Sequence, residues 1–351
     1  MEVSEVIPFD VPSKSAIRRA GTILRQEEPT EEDMLFAVDM LSTWRSLHSY
    51  PINTFQAYLR NKVKREGYQK PIIAQRLKRM PSIITKLQRF PKMSLISMQD
   101  IGGIRIVLDK ISDVYKFHDS ILKAKFAHEA VKPPKDYIKE PKKDGYRSLH
   151  QVFKYANRTH PELNGLHVEL QLRTQLQHSW ATAVETLGII EKSSFKTGEG
   201  SEEFKRFFKL SSALFSLDEK QPILEEYRDK DRKDIIQELT TIEEELQITS
   251  KLKGIALTAN QIETTSKGSK GYHLMILDAK KGYVSIIPFS NNQLEYAEEL
   301  YKSREKATKD DPNISVVLIS AGNIADIKRA YPNYFLDTNK FIGHLMRLVR
   351  E

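Results

Sequence analysis

The chain has 351 residues and no cysteine, which excludes disulfides, thiolate zinc sites and cysteine nucleophiles and fits a reducing, cytoplasmic setting. Its 55 Lys and Arg against 47 Asp and Glu give a net charge of +8, which permits nucleic-acid, nucleotide or other phosphate partners without demanding them. No stretch approaches ~18 continuous apolar residues, and MEVSEVIPFDVPSKSAIRRAG has no basic start followed by an apolar run, so neither a membrane span nor a secretory signal is expected.

In chain order, residues 1–54 read as an N-terminal helical segment. Between Glu31 and Arg65 the positions Met34, Leu35, Val38, Leu41 and Leu47 recur at helical spacing, and Pro51–Thr54 supplies a break and a cap between two helices. From Arg60 to Lys92 eleven basic residues stand against one acid, Glu66, a run that suits a polyanion or a solvated helix face. Inside it lies RLKRMPSIITK, where Arg76, Lys78, Ser82 and Lys86 surround a helix start near Pro81. Cations and a hydroxyl at such a start suit phosphate oxygens, because backbone N–H groups and the helix dipole add to the side-chain charge. The alternative is a basic amphipathic surface helix.

From Leu95 onward the pattern becomes strand-like, in IGGIRIVLD, YRSLHQVFKYA and LHVELQLRT, and mixed α and β structure is expected. In QDIGGIRIVLD an acid at the mouth of a strand suits a divalent cation, and two glycines allow close approach. Strict alternation from Ile104, Ile106 and Leu108 puts Arg105 on the polar face but Asp100 on the core side, so a metal role needs a bulge or break at Gly102–Gly103. In LHVELQLRT the alternation is clean: Val168, Leu170 and Leu172 face a core, while His167, Glu169, Gln171 and Arg173 share the other face. A strand with one solvated face accounts for the same pattern. Gln175–Glu191 reads as a helix with Leu176, Trp180, Val184 and Leu187 on one stripe, followed by an exposed loop at KTGEGSEE. Residues 216–250 read as a helical connector within a long Glu-rich helix from Tyr227 to Lys253. Residues 251–351 read as a smaller αβ unit, with strands GYHLMIL and YVSIIPF about a short turn, a helix over Gln293–Ala307, the strand ISVVLIS and two closing helices. Its Tyr331, Tyr334, Phe335 and Phe341 are either core or a docking surface.

Taken together, RLKRMPSIITK, QDIGGIRIVLD, KDYIKEPKKDGYRSLH and VELQLRTQLQHSWA, in that order, resemble the synthetase domain of the RelA/SpoT homologue family over residues 55–215. The resemblance implies an α+β fold whose mixed sheet is nucleotidyltransferase-like and flanked by helices, and transfer of pyrophosphate from ATP to a nucleotide 3′-hydroxyl. Carried over residue by residue, it implies that Arg76 clamps the adenine, that Lys78, Ser82, Lys86 and Arg105 hold ATP, and that Asp100 and Glu169 bind Mg²⁺. Glu169 in that pattern either completes the metal site or activates the hydroxyl, with Gln171 and Arg173 in support. The acceptor falls to Tyr146, on which its base stacks, together with Lys135, Lys142, Gly145, His150 and Arg173. Two features depart from the family. Asp144 precedes Gly145 where Asn is frequent, and only His48 lies upstream of the His118–Asp119 pair, so the family's multi-histidine hydrolase site cannot be built. A cysteine-free regulatory unit at 251–351 resembles that of the CapRel group of toxic small alarmone synthetases, fused toxin and antitoxin. That likeness implies a tRNA 3′ CCA end as acceptor, arrested translation and release by a phage protein such as a capsid. The competing expectation is an alarmone synthetase acting on free guanosine or adenosine nucleotides.

Overall fold

The computed structural model describes residues 9–194, 201–258, 261–264, 271–278, 281, 283–308, 311, 314–321, 328, 331–335 and 338–351. The chain opens with α1 (Lys14–Ile23), α2 (Glu31–Ser46) and α3 (Ser49–Arg65). The last two are the expected pair. The first lies within the segment 1–54 that reads as helical, ahead of the periodic stretch that begins at Glu31; the Ser13 hydroxyl caps it by accepting from Ala16 N, and it buries Ile17, Ala20 and Ile23.

A mixed five-stranded sheet follows, built from β1 (Ile72–Leu77), β2 (Gly102–Leu108), β3 (Glu129–Asp136), β4 (Leu149–Lys154) and β5 (His167–Thr174) in the order β1-β2-β5-β4-β3. Only β2 and β5 run parallel. Helix α4 (Met80–Arg89) joins β1 towards β2, and α5 (Ile111–Leu122) joins β2 to β3. Strand β3 escapes the alternation rule because Pro133 and Pro134 interrupt it. It lies at the sheet edge with a register shift between Val131 and Lys135, where missing N–H donors are tolerated.

One face of this sheet is apolar. Ile104, Ile106 and Leu108 of β2 and Val168, Leu170 and Leu172 of β5 pack with α3 and α5 around Phe55, Leu59 and Phe117. At Gly102 the backbone approaches α3 closely: an added Cβ would lie 2.8 Å from Ile52 Cγ2 and 3.3 Å from His48 Cβ.

The opposite face is divided. Ile72, Ala74 and Val107 are covered by a second sheet, made of β6 (Gln261–Thr264), β7 (Gly271–Asp278), β8 (Tyr283–Ser290) and β9 (Ile314–Ala321) in the order β6-β8-β7-β9. Met275, Leu277, Val284, Ile286, Val317 and Ile319 meet the first sheet, together with Tyr331 and Phe335. The other side of this second sheet carries α10 (Leu294–Ala307) through Ala297 and Tyr301.

The helices α6 (Gln175–Ser194), α7 (Ser201–Asp218), α8 (Arg232–Leu246), α9 (Ile248–Thr258) and the last helix, α11 (Asn339–Arg350), share one core that includes Trp180, Leu187, Phe207, Phe208, Phe215, Leu239, Leu252 and Phe341. Trp180 and Leu187 of the expected α6 stripe are buried there, with Leu176 and Val184 packed against it. The single long helix expected over 227–253 is two, because Gln247 takes a left-handed backbone with φ 50°. Of the expected loop at 196–203, residues 196–200 lie outside the described residues, and Ser201 already begins α7. Of the two expected closing helices one is α11, and 322–327 before it lie outside the described residues.

Substituting Gly102 by Ala should destabilise the chain by about 1–3 kcal/mol, the usual cost of overpacking a filled core. A fall of several degrees in the thermal unfolding midpoint is expected; an unchanged midpoint would mean that α3 moves aside at no cost.

Candidate active site

The site starts at the head of α4. Arg79 is extended, with φ −62° and ψ 142°, and Pro81 sits in the first turn. The first bond of the helix runs from Ile83 N to Arg79 O at 3.0 Å, so the N–H groups of Met80 and Ser82 lie ahead of the ladder. No side chain of α4's own cap satisfies them. Lys78, just past β1, and Lys86, one and a half turns into α4, converge on Asp100 Oδ2 at 3.2 and 2.7 Å. Burial pushes the Asp100 carboxyl upward, but Lys78 and Lys86 outweigh it and hold it below the usual carboxylate value.

Asp100 reaches this place because β2 begins only at Gly102. Lys78 N bonds Ile101 O at 2.8 Å, and the alternation that would send Asp100 into the core has not yet begun. The break expected at Gly102–Gly103 is not there, since both glycines pair in regular register with β1 and β5; Asp100 is freed because the strand starts only after it.

Register then lines up the open face of the sheet. Arg76 pairs with Gly103 and Gly103 with Glu169; in the next row Arg105 pairs with Gln171, Gln171 with His150 and His150 with Lys135. Gly103 carries no side chain, so a gap remains between Arg76 and Glu169. Glu169 is held from two sides: His150 Nδ1 lies 2.8 Å from Oε1, and Gln171 Nε2 donates to Oε2 at 2.8 Å. Burial would raise its carboxyl, yet the His150 and Gln171 hydrogen bonds and the His150 and Lys86 charges bring it down to about 2. His150 Nε2 in turn meets the Tyr146 hydroxyl at 2.9 Å.

Two cavities share this arrangement. A cleft of about 1040 Å³ is lined by Lys78, Ser82, Lys86, Asp100, Lys135, Tyr137 and Lys142. A small cavity of about 50 Å³ beside it is lined by Arg76, Gly103, Arg105, Glu169, Gln171, Lys78 and Asp100, and also by Tyr331. Tyr331 comes from the C-terminal region and donates its hydroxyl to Gln75 O.

The structure thus brings together Arg76, Lys78, Ser82, Lys86, Asp100, Arg105, Glu169 and Gln171. Lys135 and Lys142 join them at the large cleft, while His150 is buried and acts through Glu169 and Tyr146. Three expected acceptor residues are placed differently. Arg173 does not line either cavity: it is 2% exposed beneath the start of α6, donates to His178 Nδ1, and burial with the nearby Arg105 charge lowers it to about 9. Gly145 is needed for its backbone, with φ +92°, but it is a foothold and not a gap. An added Cβ would meet Trp180 and Ser212 at 3.1 Å, and Ser212 Oγ donates to Gly145 O at 2.6 Å. Tyr146 packs against the helical core, so the ring that lines the large cleft is Tyr137, whose centroid lies 6.1 Å from that of Tyr146. Lys142 Nζ sits over both, 4.5 and 4.8 Å from their centroids.

Of the basic run, Lys78, Arg79, Lys86 and Arg89 line the large cleft and Arg76 the small cavity, while Lys62, Lys64 and Arg65 sit in the last turn of α3.

The residues fit a divalent cation. Asp100 Oδ1 is buried without a hydrogen-bond partner, and both Glu169 oxygens are oriented by donors. Among the described residues no group of three or more His, Cys, Asp and Glu converges as a metal cage. Two carboxylates with substrate oxygens and water completing the sphere is the arrangement that Mg²⁺ takes.

Sequence reasoning missed Tyr137, Glu185 and Glu305. Glu185, within the apolar helix α6, faces Arg76, Arg105 and Arg173; burial raises its carboxyl, but those three charges hold it low. Its signal was an acid in the middle of an apolar stripe.

A cleft of cations at a helix head, with two carboxylates on the neighbouring strands, defines an enzyme site for polyphosphate chemistry. The region found in RelA/SpoT proteins matches residues 75–199. The GTP pyrophosphokinase YwaC of Bacillus subtilis is 30% identical over 154 residues, 42% of this chain and 67% of that protein. YjbM, another GTP pyrophosphokinase of Bacillus subtilis, is 32% identical over 142 residues, 38% of this chain and 66% of that protein, so the chain spans just under two thirds of its length. The solved structure of small alarmone synthetase 1 from Bacillus subtilis aligns at 25% identity with a TM-score of 0.42, covering 50% of this chain and 90% of that one. The chain belongs to the RelA/SpoT family.

Because Glu169 is held at about 2 against the usual 4.5, its ionised form adds stability that is complete above pH ~4.5 and fades as pH falls towards 2. The stability difference between wild type and Glu169→Gln should therefore be constant above pH ~4.5 and change progressively below it. Denaturant unfolding at several pH values checks this; a difference independent of pH down to 2 would refute the depressed carboxyl.

Proposed function

We propose that the chain transfers pyrophosphate from ATP to a 3′-hydroxyl and that its C-terminal sheet restrains this activity. The supporting observation is the convergence of Lys78, Ser82 and Lys86 on the same cleft as Asp100, with Glu169 in the small cavity that shares Lys78 and Asp100 with it. ATP's adenine lies between Arg76 and Arg105, and its phosphates run towards α4's head. The 3′-oxygen forms a bond to the β-phosphorus, the bond from that phosphorus to the α-phosphate oxygen breaks, the hydroxyl proton passes to water or to the departing phosphate, and AMP leaves. Asp100 and Glu169 are the residues that hold Mg²⁺, whose positive charge offsets that of the transferred phosphates. Lys78 and Lys86 spread further positive charge along the chain. A carboxyl near 2 is a weak proton acceptor, so Glu169 serves by charge and position more than as a base.

The acceptor base stacks on Tyr137 after Lys142 moves off its face, with Tyr146 behind it, an interaction worth ~1–3 kcal/mol. We assign the acceptor as the tRNA 3′ end, favoured by the cations at the open mouth of the cleft, Arg79, Arg89, Lys135 and Lys142. Free guanosine nucleotides are the second reading, favoured by the names of the curated relatives. With Tyr331 in the small cavity, the chain is a restrained toxin of translation in phage defence, freed when a phage protein such as a capsid draws the C-terminal sheet away.

With γ-³²P-ATP, Mg²⁺ and either total tRNA, GDP or GTP, the protein should place label on tRNA once the restraint is lifted, by added phage lysate or in the Tyr331→Ala variant. Label on nucleotides alone would make it a synthetase of free alarmones, and no label on any acceptor from a folded Tyr331→Ala variant, with or without lysate, would overturn pyrophosphate transfer. Glu169→Gln should lower transfer by about 10²-fold or more with the fold intact. Tyr331→Ala should raise the rate and lower the KM for ATP; an unchanged KM would remove Tyr331 from the restraint.

A further inference from the structure

Helix α10 places Ala297, Tyr301 and Glu305 on one stripe at four-residue spacing. The first two pack on the second sheet, but the third points across the junction into the first. Glu305 Oε1 accepts from Met80 N, the first N–H of α4, at 3.2 Å, and Oε2 accepts from Arg45 Nη1 at 2.9 Å. Arg45 is 2% exposed and is fixed by three further features. Its Nε donates to Lys78 O at 2.7 Å, its guanidinium lies 4.7 Å from the Tyr301 centroid, and its Nη2 is buried with no hydrogen-bond partner. A carboxylate therefore occupies a seat made of a helix-head N–H and a buried guanidinium with one arm to spare. Glu305 also lines the large cleft, together with Lys78, Ser82 and Lys86.

We infer that Arg45 and the Met80 N–H form an oxyanion seat for the polyphosphate chain, and that Glu305 fills it as a built-in stand-in for a phosphate. This rests on the polyphosphate cleft proposed above. Four features of the site support it. A carboxylate and a phosphate oxygen accept the same donors, the spare Nη2 can serve a phosphate's additional oxygen, and the seat adjoins the lysines of the cleft. A helix head also favours whichever anion is present. Occupancy is then exclusive: phosphate enters as α10 withdraws, and the restraint acts on the phosphate end of ATP as well as at the small cavity beside Tyr331.

The test is calorimetric binding of inorganic triphosphate with Mg²⁺ to the full chain. It compares wild type, Glu305→Gln, the double variant Arg45→Met with Glu305→Gln, and Lys86→Ala. Triphosphate carries no base, so release of the adenine cavity cannot mimic the effect. Glu305→Gln should bind about tenfold tighter than wild type, and the gain should vanish in the double variant. That variant removes both partners of the buried pair and leaves no lone charge. If its melting curve shows it unfolded, Arg45→Lys with Glu305→Gln replaces it, and a loss of most of the gain is then expected, because an ammonium lacks the second arm. No tightening in Glu305→Gln, while Lys86→Ala still weakens binding, would overturn the seat and leave the cleft standing. A full gain without Arg45 would equally overturn it, reducing Glu305 to a wedge. Failure of every chain to bind triphosphate would overturn both the seat and the polyphosphate cleft.

Discussion

Three guanidinium groups under one carboxylate set the terms for the rest of this molecule. Arg76, Arg105 and Arg173 come from three different strands, yet the register of β1, β2 and β5 brings them to one face, and Glu185 of α6 is the carboxylate that answers all three. Burial lowers Arg105 and Arg173, which means that the fold is spending stability to keep like charges close. Such an excess of buried positive charge becomes favourable only when an anion or a polarisable ring comes to it. The small cavity between Arg76 and Arg105 is therefore a place where a ligand gains more than its contact area would suggest.

The same face explains why the C-terminal region can close over the site without belonging to its chemistry. Its rows differ in character: Ile72, Ala74 and Val107 are apolar, while Arg76, Arg105, Glu169 and Gln171 are polar. The second sheet buries the first group by ordinary hydrophobic packing. Once that contact forms, it carries Tyr331 to the edge of the second group and Glu305 to the head of α4. The apolar contact supplies affinity and the two polar residues supply position. On the restraint proposed above, a partner that competes for the apolar part would withdraw both.

How much of this was legible in the sequence follows from the range of each interaction. The alternation of β5 is local, and it placed Glu169 and Gln171 on the open face correctly. It also placed Arg173 on that face, but whether a residue there meets a ligand or a helix depends on α6, which crosses above it. The glycine pair in β2 was expected to mark a break, but both glycines are in regular register and the strand begins with them, which is what leaves Asp100 outside the alternation. Tyr146 owes its assignment to the resemblance, with Gly145 expected to let the loop carry its ring; that glycine, at φ +92°, is instead locked against Trp180 and Ser212, an arrangement set by a helix some 35 residues away and another 67 residues away. Arg45 and Glu305 are separated by 260 residues, and neither lies in a motif. The one local hint was an acid in register with the buried face of α10.

That foothold under Gly145 carries a further consequence for how the molecule divides. Ser212 and Trp180 hold the acceptor loop from α7 and α6, and Trp180 Nε1 donates to Phe208 O, tying those two helices together. Phe341 of α11 packs on Phe208 and Phe215, and Arg347 reaches Asp218 at 3.1 Å. Next to it, Arg147 of the acceptor loop meets Glu219 at 3.1 Å, and Glu219 also takes Thr174 and Gln177. The end of α7 is thus held on one side by the acceptor loop and on the other by the last helix of the chain. The C-terminal region consequently acts in two opposite senses: its sheet covers the ATP side, while its final helix is part of the floor on which the acceptor side stands. On the proposed restraint, release would move the second sheet and α10 with α11 left in place, because pulling away the whole region would also undermine the helices that hold the loop at Gly145.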